Sequence, residues 1–142
     1  MSSPGALVVG LSVTHRCYVS HSHAHYGGNL IDGAYSLALF GDVATELCIR
    51  TDGDEGLLAG YSSVEFLAPV YAGDVAEAIA TLTRIGNSSR ELAFEVRVVC
   101  RAVPGRGPSA ADVLDPPLVV TRATGTVVVP DRGPDARAGL MA

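Results

Sequence analysis

Residues 30–50 read LIDGAYSLALFGDVATELCIR, a proline-free run that is apolar or small on nearly every face of a helix. Leu37, Ala38, Leu39, Phe40, Val43, Ala44 and Leu47 leave no wide polar stripe. A helix that is apolar all round must be buried all round, so the rest of the chain has to wrap it. No other feature narrows the choice of fold as much.

The remaining segments are strand-like. Residues 6–19, ALVVGLSVTHRCYV, are apolar and β-branched, and strands are predicted again over 57–67, 75–85, 90–102 and 118–129. In the 90–102 segment Leu92, Phe94, Val96, Val98 and Cys100 alternate with Glu91, Glu95, Arg97 and Arg101, the period of a sheet with one wet face. The apolar face is predicted to pack the helix. Turn chemistry marks TDGDEG at 51–56, AGD at 72–74 and GNSSR at 86–90, and the Pro/Gly-rich stretch 102–117 is expected to project from the sheet. One strand, one long helix and then four antiparallel strands give an α+β fold, a curved antiparallel sheet around one central helix. A length of 142 residues suits a single domain over 1–142, with a core over about 6–129 and a flexible tail over 130–142. A single sheet leaves its edges open, so a homodimer or higher homo-oligomer is expected, with the site between subunits.

Charge and residue types exclude several functions. The formal net charge of −5 argues against nucleic acid and anionic membrane surfaces as partners. The longest apolar strand-like runs fall far short of the roughly 18–20 residues of a membrane span, and the N-terminus has no leader pattern, so a cytoplasmic protein is expected. Cys17, Cys48 and Cys100 are scattered and odd in number, as reduced thiols would be. All ten basic residues are arginine, which excludes a Schiff-base lysine and a P-loop lysine.

Chemistry concentrates in SHAHYGGNLIDG, residues 22–33. In an extended strand His21, His23 and His25 would share a face and could ligate zinc or nickel, but no distant Cys or further His closes such a site, so no metal is expected. The glycines match neither a P-loop nor a dinucleotide fingerprint. TDGDEG lacks the ligand spacing and distal glutamate of a calcium loop. Gly27, Gly28 and Gly33 stand where the chain enters the helix, and unpaired N–H groups there can hold an oxyanion.

The stretch GNLIDGA resembles the helix-opening segment of hotdog-fold acyl-CoA thioesterases. AHYGGNLIDGA, LFGDVATEL, DGDEGL, VEFLAPVYAGD and GNSSR more closely resemble the 3-aminobutyryl-CoA ammonia lyases, small hotdog enzymes, over about residues 21–102. The resemblance implies the hotdog fold and a carbon–nitrogen lyase that reversibly adds or eliminates ammonia or an amine across the α,β-bond of a short enoyl-CoA. Coenzyme A enters as the substrate's thioester and no cofactor is implied. Two departures from the thioesterase pattern matter. The helix carboxylate of those enzymes falls at Phe40, which disfavours hydrolysis, while Asp32 replaces a glycine and His25 a pocket-facing asparagine.

On that resemblance His25 is the expected general base, and Asp32 or Glu46 the carboxylate that binds the ammonium or serves as second acid/base. The amides of Gly33 and Ala34 are expected to hold the enolate oxygen. Asp42 is a lesser candidate, and Glu46 has the alternative of pairing with Arg50; Asp32 has that of capping the helix. Asn87, Ser88, Ser89 and Arg90 are expected to bind the pantetheine or a CoA phosphate, with a solvated hairpin as the alternative. Glu65 either lines the pocket or faces water. Three rival functions stay open: aza-Michael addition of an amino acid to an enoyl thioester on CoA or a carrier protein, thioester hydrolysis, and non-catalytic acyl-thioester binding.

Overall fold

A computed structural model describes residues 7–130; most of the tail expected over 130–142 lies outside the described residues. Along the chain come strands β1 (Ser12–Tyr18), β2 (Ala24–Tyr26) and β3 (Leu30–Ile31), helix α1 (Gly33–Asp52), and strands β4 (Leu57–Phe66), β5 (Val75–Ile85), β6 (Ser89–Ala102) and β7 (Ala111–Val128). The main sheet is antiparallel in the order β1-β5-β6-β7-β4, and β2 and β3 form a separate small hairpin.

The order along the chain conceals the pairing. Strand β4 follows the helix but does not join β5; it runs to the far edge beside β7, with Leu57 opposite Val128 and Phe66 opposite Thr121. Helix α1 therefore crosses one face of the sheet, and the connection from β4 to β5, residues 67–74, passes the helix N-terminus.

The alternation expected in β6 is met from Leu92 to Val98 and breaks beyond it, where Val99 is buried and Cys100 only half-buried at a shift of register. Leu92, Phe94, Val96 and Val98 are buried and meet Phe40, Val43, Ala44 and Leu47 of α1 in one core, where the Phe40 and Phe94 ring centroids are 4.9 Å apart. On β5 the inward residues Ala76, Ala78 and Ala80 are small, which lets the helix lie close. Gly53 closes the helix in the left-handed region (φ 65°), its N–H donating to Ile49 O, a conformation that glycine adopts without strain.

Two expectations are corrected. Within one chain α1 is covered only on the stripe through Ser36, Phe40, Val43, Ala44, Leu47, Cys48 and Thr51, while Ala34, Ala38, Asp42 and Ile49 stay exposed. One sheet reaches only one side of a helix. The 102–117 excursion is also shorter than expected, because β7 already begins at Ala111 and pairs it with Ala102. Leu114, Asp115, Pro116 and Pro117 bulge out between the Cys100–Val113 and Val98–Leu118 pairs. Proline has no N–H for the ladder, so the strand accommodates the pair as a bulge and continues.

Candidate active site

The chain enters α1 through the β2–β3 hairpin. A turn over Gly27–Asn29 places Gly28 (φ 70°) and Asn29 (φ 61°) in the left-handed region and folds Ala24 back opposite Ile31. This reversal brings His25 to the helix start, with Nδ1 3.8 Å from Asp32 Oδ2. The hairpin is tied in turn to the segment after β4: the Ile31 N–H donates to Val70 O and the Ala72 N–H to Asn29 O, both at 2.9 Å.

Between these parts lies a cleft of about 570 Å³. Leu30, Ile31, Leu67, Pro69 and Val70 give it apolar walls, Phe66 closes one side, and Tyr26, Asp32, Ser36 and Thr121 supply the polar side chains. Asp32 occupies the N-cap position, yet its side chain makes no capping bond and is a third exposed. The capping alternative is therefore not the one adopted; the carboxylate faces the cleft and His25. His25 is not itself part of the cleft lining and is joined to it through Asp32; it is 59% exposed and edge-on to the Tyr26 ring at 4.6 Å.

Gly33 and Ala34 open the helix, where backbone N–H groups have no intrahelical acceptor. A Cβ on Gly33 would come within 2.5 Å of the Phe66 ring, so only glycine lets this aromatic lie on the first turn. Deeper in, Ser36 Oγ and Thr121 Oγ1 are 3.0 Å apart and both residues are buried. The wall at 67–71 is pinned from behind. Buried Asp74 accepts the Tyr71 N–H (2.8 Å) and the Arg101 guanidinium (2.8 and 3.1 Å), and Arg101 also donates to Pro69 O and lies over the Tyr71 ring.

The histidines do not form the row that an extended strand would give. Residues His21–His23 make a 3-10 turn, and each imidazole has a different neighbour: His21 lies beside Tyr18, His23 against Tyr35 and His25 against Tyr26. Among the described residues no group of three or more His, Cys, Asp or Glu side chains comes together to hold a metal ion.

Other sequence-predicted residues are spread widely. Glu46 lies 14 positions beyond Asp32 on the same helix, about 21 Å along its axis at about 1.5 Å per residue. Its carboxylate is 2.8 Å from Arg50 Nε and 2.9 Å from His15 Nε2, and bonding to Arg50 first and His15 second holds it below the usual carboxylate range. The Arg50 pairing is realised, and within one chain Glu46 is outside the cleft. Asp42 is exposed, and Glu65 lies on the other side of the sheet, in a groove with Arg122 and Glu95.

Arg90 requires a correction. It was expected to bind CoA, but its side chain is 1% exposed and makes four hydrogen bonds within the protein. The guanidinium grips Asp52 at 2.7 and 3.1 Å and donates to Gly86 O and Ser89 O, locking the β5–β6 turn to the end of α1. Asn87, Ser88 and Ser89 form that turn beside the C-terminal end of the helix, whereas the cleft is at its N-terminal end. Sequence reasoning missed Tyr26, Ser36 and Thr121. Ser36 carries a faint signal, a hydroxyl one turn beyond Asp32 in an apolar helix; Thr121, in a strand rich in threonine, carries none.

Comparison with known proteins shows the fold and the family. The thioesterase superfamily profile matches residues 27–101. The 3-aminobutyryl-CoA ammonia lyase of Acetoanaerobium sticklandii is 55% identical over 112 residues, 79% of this chain and 89% of that protein. The β-alanyl-CoA:ammonia lyase of Clostridium propionicum superimposes with a TM-score of 0.83 at 39% identity, covering 89% of this chain and 92% of that one. A hexameric thioesterase from Yersinia pestis shares the fold at a TM-score of 0.67 and 20% identity, over 87% of this chain and 89% of that one. This chain belongs to the hotdog thioesterase superfamily and, within it, to the family of the 3-aminobutyryl-CoA ammonia lyase.

Proposed function

We propose that this chain is an ammonia lyase that reversibly eliminates ammonia from a short β-aminoacyl-CoA, of the 3-aminobutyryl-CoA to crotonyl-CoA type. The observation that carries the proposal is the His25–Asp32 pair, 3.8 Å apart, whose carboxylate lines an apolar cleft beside the amides of the helix start.

The thioester carbonyl acidifies its α-carbon. His25 takes the α-proton, and the electron pair of that C–H bond forms the enolate, whose oxygen is held by the Gly33 and Ala34 amides. Collapse of the enolate forms the α,β double bond and breaks the Cβ–N bond, with its electron pair leaving on ammonia. Asp32 binds the substrate's ammonium beforehand and, after proton transfer, stabilises the imidazolium. Addition runs through the same states in reverse. Nothing in this sequence calls for a cofactor. Phe40, wholly buried against Phe94, supplies neither base nor nucleophile for hydrolysis.

The enzyme works as a homo-oligomer. Strand β4 is a free edge that carries exposed Leu57 and Phe66, and Phe66 also lines the cleft, so a second copy along β4 would complete the site. Free Cys17, Cys48 and Cys100 suit a reducing cytoplasm, and no described helix is long and apolar enough to cross a membrane.

Incubation with crotonyl-CoA and ammonium, following enoyl absorbance and free thiol together, tests the reaction. Ammonium-dependent loss of absorbance without thiol release is expected. Thiol appearing in proportion to substrate consumed would establish hydrolysis instead.

A further inference from the structure

The cleft's deepest polar feature lies outside the chemistry derived above. Ser36 on α1 and Thr121 on β7 are each only 2% exposed, and both line the cleft. Two hydroxyls carry two protons and four lone pairs, and their mutual bond at 3.0 Å uses one of each. Neither hydroxyl makes another hydrogen bond among the described residues, so one proton and several lone pairs are left without a protein partner. The surrounding walls are apolar, and a water-excluded hydroxyl with unused capacity in such walls is costly unless a ligand meets it. Ser36 is also one helical turn after Asp32, which sets hydroxyl and carboxylate on one face of the helix start.

We infer that the Ser36–Thr121 pair is the subsite that receives the β-ammonium group, a reading that rests on the lyase proposal and deepens it. An ammonium has three N–H donors and no acceptor. Asp32 offers it the charged acceptor, and the paired hydroxyls, one helical turn further along the same wall, offer neutral lone pairs. A methyl group in that place would gain nothing from them, so the pair distinguishes a β-aminoacyl chain from a plain alkyl chain of the same length. Ser36 and Thr121 act in binding and specificity, with proton transfer left to His25.

The test is the double variant S36A/T121V. Removing both partners of a hydrogen bond and keeping their shape is nearly neutral for stability, so this variant is expected to fold. Both the parent and the double variant carry His25→Ala, so that the amine-bearing thioester is not consumed, and calorimetric titration with 3-aminobutyryl-CoA and with butyryl-CoA, which differs by the amine, gives a preference ratio. The His25→Ala parent is expected to favour the amine-bearing thioester, and the double variant in the same background to lose that preference by about tenfold or more while its butyryl-CoA affinity holds. An unchanged ratio, or equal weakening of both ligands, would overturn the assignment. Turnover of crotonyl-CoA with ammonium by the wild type, measured separately, reports on the lyase reading alone.

Discussion

The His25 imidazole and the Asp32 carboxylate, seven residues apart in the chain, lie 3.8 Å apart across the β2–β3 hairpin. At that distance they form an ion pair only when the ring is protonated, and they do not form a neutral hydrogen bond. A base that gains a proton during turnover therefore gains a counter-ion at the same moment. His25→Ala and Asp32→Asn are each expected to lower kcat by about a hundredfold or more with an unchanged circular dichroism spectrum. Wild-type rates in either variant would remove the pair from the mechanism.

Arg90 and Asp52 distinguish a structural cation from a CoA ligand. Both side chains are buried and bonded in two places, so Arg90→Ala strands a carboxylate in the core. A loss of about 3–5 kcal/mol in urea unfolding is expected, with much of it recovered in the Arg90→Met, Asp52→Leu double variant. The double variant is also expected to keep the wild-type KM for the CoA thioester. A raised KM at full stability would restore the phosphate-binding role.

Gly33 and Phe66 test how the cleft is closed. An alanine at position 33 must displace the ring that would lie 2.5 Å from its Cβ. The displaced ring is part of the cleft wall, so Gly33→Ala is expected to lower kcat/KM by about tenfold to a hundredfold. The variant Gly33→Ala, Phe66→Ala relieves the overlap, and a rise in kcat/KM relative to Gly33→Ala alone checks the steric account.

Glu77 makes the fold sensitive to acid. Burial pushes its pKa up, but bonds from Arg16 and Arg97 outweigh it and leave the carboxyl below its usual 4.5. A folded pKa below the unfolded one adds stability that is present above the unfolded value and is lost as pH falls through the folded value. Glu77→Gln is therefore expected to cost about 1 kcal/mol at pH 7, with the deficit shrinking steadily once the pH drops below about 4.5. Thermal unfolding of both proteins across that range measures it.

Much of this was legible in the residues themselves. The period of two from Leu92 to Val98 identified a half-buried strand, the 75–85 strand has the predicted limits, and the proline-free apolar run is the helix from Gly33 onward, its first two residues being strand β3 instead. The block AHYGGNLIDGA pointed to the family and to His25 and Asp32 because these depend on local order along the chain. Periodicity and turn chemistry are properties of neighbours in sequence, and they survive in any tertiary arrangement.

Tertiary structure alone decided the rest. That β4 pairs with β7, that Arg90 faces inward onto Asp52, and that Thr121 meets Ser36 from 85 positions away are long-range choices. The alternation in β6 already put residue 90 on the buried face, but a charged side chain read alone suggests solvent or a ligand. Only the helix end arriving with a carboxylate makes its burial tolerable. The histidine row likewise failed as a row because a 3-10 turn sent each ring to a different aromatic neighbour. Local pattern determines which element each residue belongs to; which groups meet depends on packing between elements, and no stretch of sequence contains that information by itself.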